Sequence, residues 1–121
     1  MPHNITKPVV LIFGSRSIKN LQISRYIRPE SCAAIVHGAA IGVDTIADSW
    51  AKANNLETVI YKPNYKVYGK RAPLVRDEEM AEFCDVIICF WDGKSRGSKY
   101  TCDYGRKIGR KVIVHLIQEY D

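Results

Sequence analysis

Five short apolar runs, rich in β-branched residues, recur along the 121 residues and constrain the fold more than any other feature. All but the third are nearly continuous in apolar character, as strands buried on both faces are. Such strands are typical of parallel sheets that helices cover on both sides. We therefore expect strands at Val9–Phe13, Cys32–His37, Glu57–Tyr61, Val86–Phe90 and Val112–Leu116.

The stretches between these runs have helical periodicity. In one of them the apolar stripe is formed by Val43, Ile46, Ala47, Trp50 and Ala51. The others predict a weak first helix over Leu21–Arg28, ended by Pro29, and later helices over about Leu74–Cys84 and Ser98–Ile108. The inward stripe of the Leu74–Cys84 helix would carry Arg76, Met80, Phe83 and Cys84.

Strands that alternate with helices predict a doubly wound α/β domain with a parallel sheet of about five strands and helices on both faces. We expect one domain over residues 9–121 and a flexible N-terminal segment over residues 1–8. The longest apolar runs have five and six residues, far short of the roughly 20 that cross a membrane. The four cysteines form no C-x-x-C pair, which favours reduced thiols in a cytoplasmic protein.

The net charge of +5 is unevenly distributed. Residues 62–76 carry five bases and no acid, residues 77–92 carry six acids and no base, and residues 93–111 carry seven bases and one acid. Two interpretations stay open. The basic segments are either ordinary solvated surface or the binding site of a phosphate-bearing ligand or a nucleic acid.

Five of the eight glycines fall in predicted strand-to-helix loops, which meet at the carboxyl edge of a parallel sheet. Glycine lets backbone amides approach an anion, and a helix N-terminus behind the loop adds roughly half a positive charge. We therefore expect a phosphate-binding edge. The amides expected to line it are those of Ser15, Ala39, Ala40, Gly42, Gly97 and Ser98.

Arg76 supports this interpretation, because it lies on the inward stripe of its helix but in the first turn, near the same edge. A guanidinium there is costly to desolvate without an anionic partner. That partner is either a ligand or an internal carboxylate such as Asp44 or Asp92, unless the helix boundary shifts and leaves Arg76 in water. Arg16, after the first strand, makes the same argument less strongly.

Several motifs occur in an order that resembles the SLOG superfamily, and within it the YspA-like branch of small stand-alone proteins. They are Gly14-Ser15-Arg16, Gly38-x-Ala40-x-Gly42-x-Asp44, Pro63 through Tyr68-Gly69-Lys70, Arg76-x-x-x-Met80-x-x-x-x-Asp85 and Trp91-Asp92-Gly93-x-Ser95-x-Gly97. The resemblance covers about residues 9–114. It implies a Rossmann-like domain that binds a nucleotide or nucleotide-derived ligand, such as a nucleoside phosphate or an ADP-ribose relative, and that commonly forms homo-oligomers.

No cofactor beyond such a nucleotide-type ligand is expected, and the three histidines form no metal-binding group. The expected ligand-binding residues are Gly14, Ser15, Arg16, Gly38, Ala39, Ala40, Gly42, Asp44, Arg76, Trp91, Gly93, Ser95, Gly97 and Ser98.

Two alternative functions follow from other branches of the superfamily. LOG-type phosphoribohydrolases pair an Arg-Lys motif with a glutamate, but this chain has Asp77 in place of the lysine and Thr101 in place of the glutamate. Hydrolysis of an N-glycosidic bond would then need another carboxylate. The candidates are Asp44, Asp92 and Asp103. DprA-like binding of single-stranded nucleic acid is the other alternative, prompted by the two basic segments.

Overall fold

The computed structural model describes residues 7–118, which form one five-stranded sheet in the order β3-β2-β1-β4-β5. All four strand pairs are parallel. The predicted strands are therefore confirmed, with ends shifted by at most two residues. The strands are β1 (Val9–Gly14), β2 (Ala34–His37), β3 (Glu57–Ile60), β4 (Val86–Trp91) and β5 (Lys111–Leu116).

Four α-helices lie between the strands. They are α1 (Val43–Ala53), α2 (Tyr65–Tyr68), α3 (Ala72–Phe83) and α4 (Arg96–Lys107). The sequence predicted α1, α3 and α4, whereas the single turn of α2 carries no periodicity that could reveal it. The helix expected over Leu21–Arg28 is wrong, because only a 3₁₀ turn at Ile23–Arg25 forms there. An eight-residue segment without a side-chain cap, followed by proline, is too short to propagate a helix.

Each face of the sheet has its own apolar core. On one face, α1 packs Val43, Ala47 and Ala51 against Ile12 and Ile35. On the other, Met80 of α3 and Cys102 of α4 pack with Leu11, Val36 and Ile87. This is the doubly wound α/β arrangement that the sequence predicted. Phe83 departs from the prediction, because this last residue of α3 is 50% exposed and packs beside Tyr61 instead of entering the core.

The strand order places β1 in the centre, with β2 on one side and β4 on the other. The chain turns toward opposite edges of the sheet after these strands, so the carboxyl ends of β1 and β4 mark the topological switch point. Ligands of doubly wound folds bind in the crevice at this point.

Further sequence predictions concern the chain end, the thiols and the membrane. The flexible segment expected over residues 1–8 lies mostly outside the described residues, although Pro8 O accepts a hydrogen bond from Ala33 N at 2.8 Å. All four cysteines are buried free thiols. None of the helices within residues 7–118 is long and apolar enough to cross a membrane.

Candidate functional site

A cleft of about 420 Å³ opens at the switch point. Its walls are the loops after β1 and β2, the first two turns of α3, and the loop that leads from β4 into α4. The structure thus brings most of the expected site residues together at the carboxyl edge of the sheet. Those that line the cleft are Gly14, Arg16, Ala40, Asp44, Arg76, Asp92, Ser95, Gly97 and Ser98.

The other expected residues lie behind or beside the wall. Ser15 is buried, and its hydroxyl accepts a hydrogen bond from Asp92 N at 3.0 Å. Trp91 donates from Nε1 to Ser95 O at 2.9 Å and so supports the loop into α4. The remaining four do not line the cleft either. Gly38, Ala39 and Gly42 support loops around it, and Gly93 lies in the turn after β4.

Asp103 is not part of the cleft. It lies on the exposed side of α4, where it pairs with Lys99 at 2.7 Å and Arg106 at 3.3 Å. The hydrogen bond from Lys99 is the main cause that lowers the pKa of this carboxyl. Asp103 follows Thr101 by two residues and is therefore about 200° further around the helix, which places it on the side of α4 away from the cleft. The structure removes Asp103 from the catalytic candidates.

The expected cradle of backbone amides is largely wrong, because four of its six N–H groups donate within the chain. Ser15 N donates to Phe90 O, Ala39 N to His37 Nδ1, Ala40 N to Asp44 Oδ2 and Ser98 N to the Ser95 hydroxyl. Tight loops satisfy their own polar groups in this way. Of the six expected amides, only those of Gly42 and Gly97 have no hydrogen-bond acceptor within residues 7–118.

Glycine has a packing role in two of these loops. A Cβ atom on Gly38 would lie 2.5 Å from Arg76 Nη1, and one on Gly14 would collide with the carbonyl oxygen of Phe90. Gly97 is different. A Cβ there would meet nothing within 4 Å, and its φ angle is not in the left-handed region. Packing therefore does not demand a glycine at position 97, where the first turn of α4 faces open space in the cleft.

Arg76 is held by two of its three nitrogens and is 8% exposed. Nε pairs with Asp77 Oδ1 at 2.7 Å, and Nη1 donates to Gly38 O at 2.5 Å and to Tyr61 O at 3.4 Å. The internal partner that the sequence left open is thus the adjacent Asp77. Nη2 has no hydrogen-bond partner in the described part of the chain. Every fully buried side-chain nitrogen or oxygen of that part has a partner, so Nη2 is not fully buried. Nη2 therefore reaches the solvent of the cleft.

Asp44 is 4% exposed and holds the loop after β2 in shape. Its Oδ2 accepts hydrogen bonds from Gly38 N at 2.9 Å and Ala40 N at 3.3 Å, while Ala39 between them takes a φ of 61°. Burial raises the pKa of the carboxyl against the opposing effect of these amides. Oδ1 accepts no hydrogen bond from the described residues. Because no unpartnered side-chain oxygen is fully buried there, Oδ1 is accessible in the cleft.

Asp92 is a structural carboxylate at the start of the loop into α4. Oδ1 accepts from Lys94 N at 2.8 Å and Ser95 N at 3.0 Å, and Oδ2 accepts from the Ser17 hydroxyl at 2.7 Å. The hydrogen bonds lower the pKa of this carboxyl to about 2, with the Lys94 amide the largest contributor. A carboxylate so fully occupied is a poor proton acceptor at neutral pH.

Asp77 is a cleft residue that the sequence analysis did not select. Besides the Arg76 pair, its Oδ2 accepts a hydrogen bond from the Thr101 hydroxyl at 3.0 Å. Burial raises the pKa of the carboxyl, against the influence of Arg76 and Thr101. Asp77 and Thr101 occupy the two positions at which the chain departs from the LOG pattern, and the structure brings them into contact.

Charges of both signs line the cleft. Arg16 and Arg76 stand beside three aspartates, of which Asp77 and Asp92 are satisfied within the chain. Within residues 7–118, no three His, Cys, Asp or Glu side chains are grouped so that they could hold a metal ion. The charged atoms left for a ligand therefore include one donor, Arg76 Nη2, and one acceptor, Asp44 Oδ1.

A parallel sheet with a polar cleft at its switch point is the arrangement of the Rossmann-like ligand-binding domains. The chain belongs to the YspA, cpYpsA-related SLOG family, whose sequence profile matches residues 8–68, so the resemblance inferred from the motifs is confirmed. It is similar to the Gene 61 protein of Mycobacterium phage D29, with 33% identity over 85 residues, which cover 65% of this chain and 68% of the phage protein. No solved structure matches the chain significantly.

Proposed function

We propose that the cleft binds a nucleotide or a nucleotide-derived ligand, such as a nucleoside phosphate or an ADP-ribose-like molecule, in a sensor or carrier role. The observation that carries the proposal is that two buried charged residues of the cleft, Arg76 and Asp44, each keep one charged atom without a partner in the described chain, Nη2 and Oδ1. One is a cationic donor and the other an anionic acceptor. A ligand with a phosphate and a sugar hydroxyl satisfies both.

Phosphate is assigned to the α4 side of the cleft. The N-terminus of this 12-residue helix faces the opening at Gly97, whose amide has no acceptor within residues 7–118. Helix N-termini favour anions, and the exposed Arg16 and the free Nη2 of Arg76 add cationic hydrogen-bond donors on the cleft wall. Asp44 Oδ1 then accepts a ribose hydroxyl, as a carboxylate does at comparable edges of dinucleotide-binding sheets.

Native mass spectrometry of the freshly purified protein is the first test, because a co-purified molecule would define the ligand class. Isothermal titration with AMP, ADP and ADP-ribose follows. The decisive variant is Gly97→Leu, because its Cβ would meet nothing within 4 Å while the larger side chain reduces the space in the cleft. Leucine also favours the helix over glycine by about 0.5–1 kcal/mol. We expect affinity to fall at least tenfold with the melting temperature unchanged or raised.

Ala53→Leu, at the exposed end of α1, is the matched control and should bind like the wild type. A wild type that binds no compound of the panel, or a Gly97→Leu variant with unchanged affinity, would refute the proposal.

A second candidate function is hydrolysis of the N-glycosidic bond of such a nucleotide. The observation that favours it is the raised pKa of Asp44 combined with its accessible Oδ1, since neither Asp92 nor Asp103 has both properties. Water would add to the anomeric carbon and give one proton to Asp44 while the carbon–nitrogen bond breaks. The base nitrogen would take a proton from solvent, and Asp44 would return its own proton to solvent. The products would be free base and ribose phosphate.

Chromatographic detection of adenine after incubation with AMP tests this activity. Asp44→Asn should abolish release, because the amide oxygen can still accept the loop hydrogen bonds but cannot take a proton. Asp103→Asn, outside the cleft, should leave the rate unchanged. No base released by the wild type would leave binding as the only function of the cleft.

A further inference from the structure

A cationic and aromatic surface lies beside the cleft, in residues 62–71, here called the rim segment. It consists of the single-turn α2 and the following 3₁₀ turn Gly69–Arg71, and it ends where α3 begins. Pro73 and Leu74, the second and third residues of α3, line the cleft. The rim segment contains four bases and two tyrosines but no acid.

The positive charge of the rim segment is not neutralised by the chain. None of its bases forms a salt bridge within the described residues, and the rim segment itself contains no acid that could pair with them. Of the acids on the neighbouring α3, Glu78 accepts a hydrogen bond from Tyr100 and Glu82 accepts one from Tyr104, and neither pairs with a base of the rim segment. The rim segment therefore presents a local field that attracts an anionic partner. Its bases are Lys62, Lys66, Lys70 and Arg71.

Two aromatic rings of the rim segment are left in solvent. Tyr65 is 60% exposed and Tyr68 is 43% exposed, and neither hydroxyl has a hydrogen-bond partner in the described chain. Other tyrosines are engaged, such as Tyr100 and Tyr104 with their glutamates. Exposed tyrosine rings among free cations form the combination that stacks unpaired bases while the cations contact phosphates.

The rim segment is held in a defined shape. The Asn64 side chain accepts a hydrogen bond from Val67 N at 3.2 Å and caps α2, and Gly69 takes the left-handed φ of 56° that turns the chain toward α3. The rings and cations are therefore presented on an ordered turn, which lowers the entropic cost of binding.

We propose that the rim segment binds single-stranded nucleic acid, with Tyr65 and Tyr68 stacking on bases and the four cations contacting phosphates. A duplex would hide the base faces that the rings need, so single strands are preferred. This interaction goes beyond the ligand of the cleft and uses different side chains.

The test is fluorescence anisotropy with a labelled 20-nucleotide oligo(dT), oligo(U) and a duplex of equal length, titrated from 50 to 300 mM salt. Tyr65→Ala with Tyr68→Ala should lower the affinity for single strands at least tenfold with little change in salt dependence. Lys66→Gln with Lys70→Gln should reduce the slope of log affinity against log salt by about 1.4, from about 0.7 per lost phosphate contact.

Lys94→Gln with Lys107→Gln is the matched control, since both residues are exposed and lie outside the rim segment. It should leave binding of single strands at the wild-type level. Titration of the rim-segment variants with AMP, ADP and ADP-ribose should give the same affinities as the wild type, so that failure of this inference and failure of the proposed function are distinguishable.

Four results would overturn the inference. They are no salt-dependent binding of single strands by the wild type, an equal loss in the control variant, equal affinity for the duplex, and binding to phosphatidylserine vesicles in place of oligonucleotides. Loss of nucleotide binding in the rim-segment variants would also overturn it, because the rim segment would then belong to the cleft.

Discussion

The Thr101 hydroxyl donates a hydrogen bond to Asp77 Oδ2 at 3.0 Å, across the contact between α3 and α4. These are the two positions at which the chain departs from the LOG pattern. That pattern has a glutamate at the position of Thr101, after the loop that leads into α4. Here the carboxylate enters the cleft from α3, and the hydroxyl on α4 holds it. Asp77 in turn holds Arg76, so the two departures together fix the arginine of the cleft.

The hydrogen bond from Thr101 stabilises the ionised form of Asp77, which burial disfavours. Thr101→Val should therefore destabilise the protein by about 1–2 kcal/mol at pH 7. Because the folded-state pKa of Asp77 lies above its ordinary value, the carboxyl takes up a proton early as the pH falls, and the cost of the variant should shrink toward pH 4.

Urea unfolding at pH 7 and at pH 4 measures this difference. Thr58→Val on β3, where the described structure gives the hydroxyl no partner, is the control and should show no pH dependence. An equal cost for Thr101→Val at the two pH values would contradict the assignment of an ionised Asp77 at pH 7.

Gly38→Ala should displace the Arg76 guanidinium, because the added Cβ would lie 2.5 Å from Nη1 and 2.8 Å from Cζ. We expect a loss of about 1–3 kcal/mol in the free energy of unfolding, together with weaker nucleotide binding. Gly97→Ala adds the same methyl group where nothing lies within 4 Å and should not destabilise the protein. Denaturant unfolding of both variants makes the comparison, and similar stabilities would show that the contact at Gly38 relaxes without cost.

Arg76→Lys should weaken an anionic ligand by about 1.5–3 kcal/mol although the charge is retained. A lysine cannot pair with Asp77, reach Gly38 O and still present a donor to the cleft, which are the three tasks of the guanidinium. Isothermal titration measures the affinity, with Arg106→Lys on the exposed side of α4 as control. Wild-type affinity in Arg76→Lys would take this residue out of the ligand site.

Asp92 should contribute stability that depends on its ionised form. Its pKa is lowered from 3.8 to about 2, so the contribution is complete above about pH 5 and is lost as the pH falls from 4 toward 2. Asp92→Asn should cost about 1 kcal/mol at pH 7, because solvent screens part of the effect. The difference from the wild type, measured by urea unfolding, should narrow steadily below pH 4, and a constant difference down to pH 3 would contradict this account.

The strand pattern predicted the sheet, and the sheet alone predicted where the cleft lies. Buried parallel strands are recognisable by their continuous apolar runs, and their carboxyl ends must share an edge. The position of Arg76 on the inward stripe of its helix likewise followed from periodicity. These inferences depend only on local spacing.

The hydrogen-bond partners around the cleft were beyond such reasoning. The amide of Ala40 donates to the side chain of Asp44, four residues later, and so is not available to a phosphate. The amide of Ser15 donates to the carbonyl oxygen of Phe90, which lies on a different strand. The contact of Asp77 with Thr101 joins two helices that are far apart in the chain. Spacing within one element carries no information on these pairings.

One residue, Gly38, joins the two side chains whose free atoms are assigned to the ligand. Gly38 donates its N–H to Asp44 and accepts at its C=O from Arg76, so the acid and the base are both attached to one residue without touching each other. A ligand that binds both side chains therefore acts on the same residue through its N–H and through its C=O. Phosphate alone or nucleoside alone would engage half of that linkage, and the intact nucleotide should bind more tightly than the sum of its separated fragments would suggest.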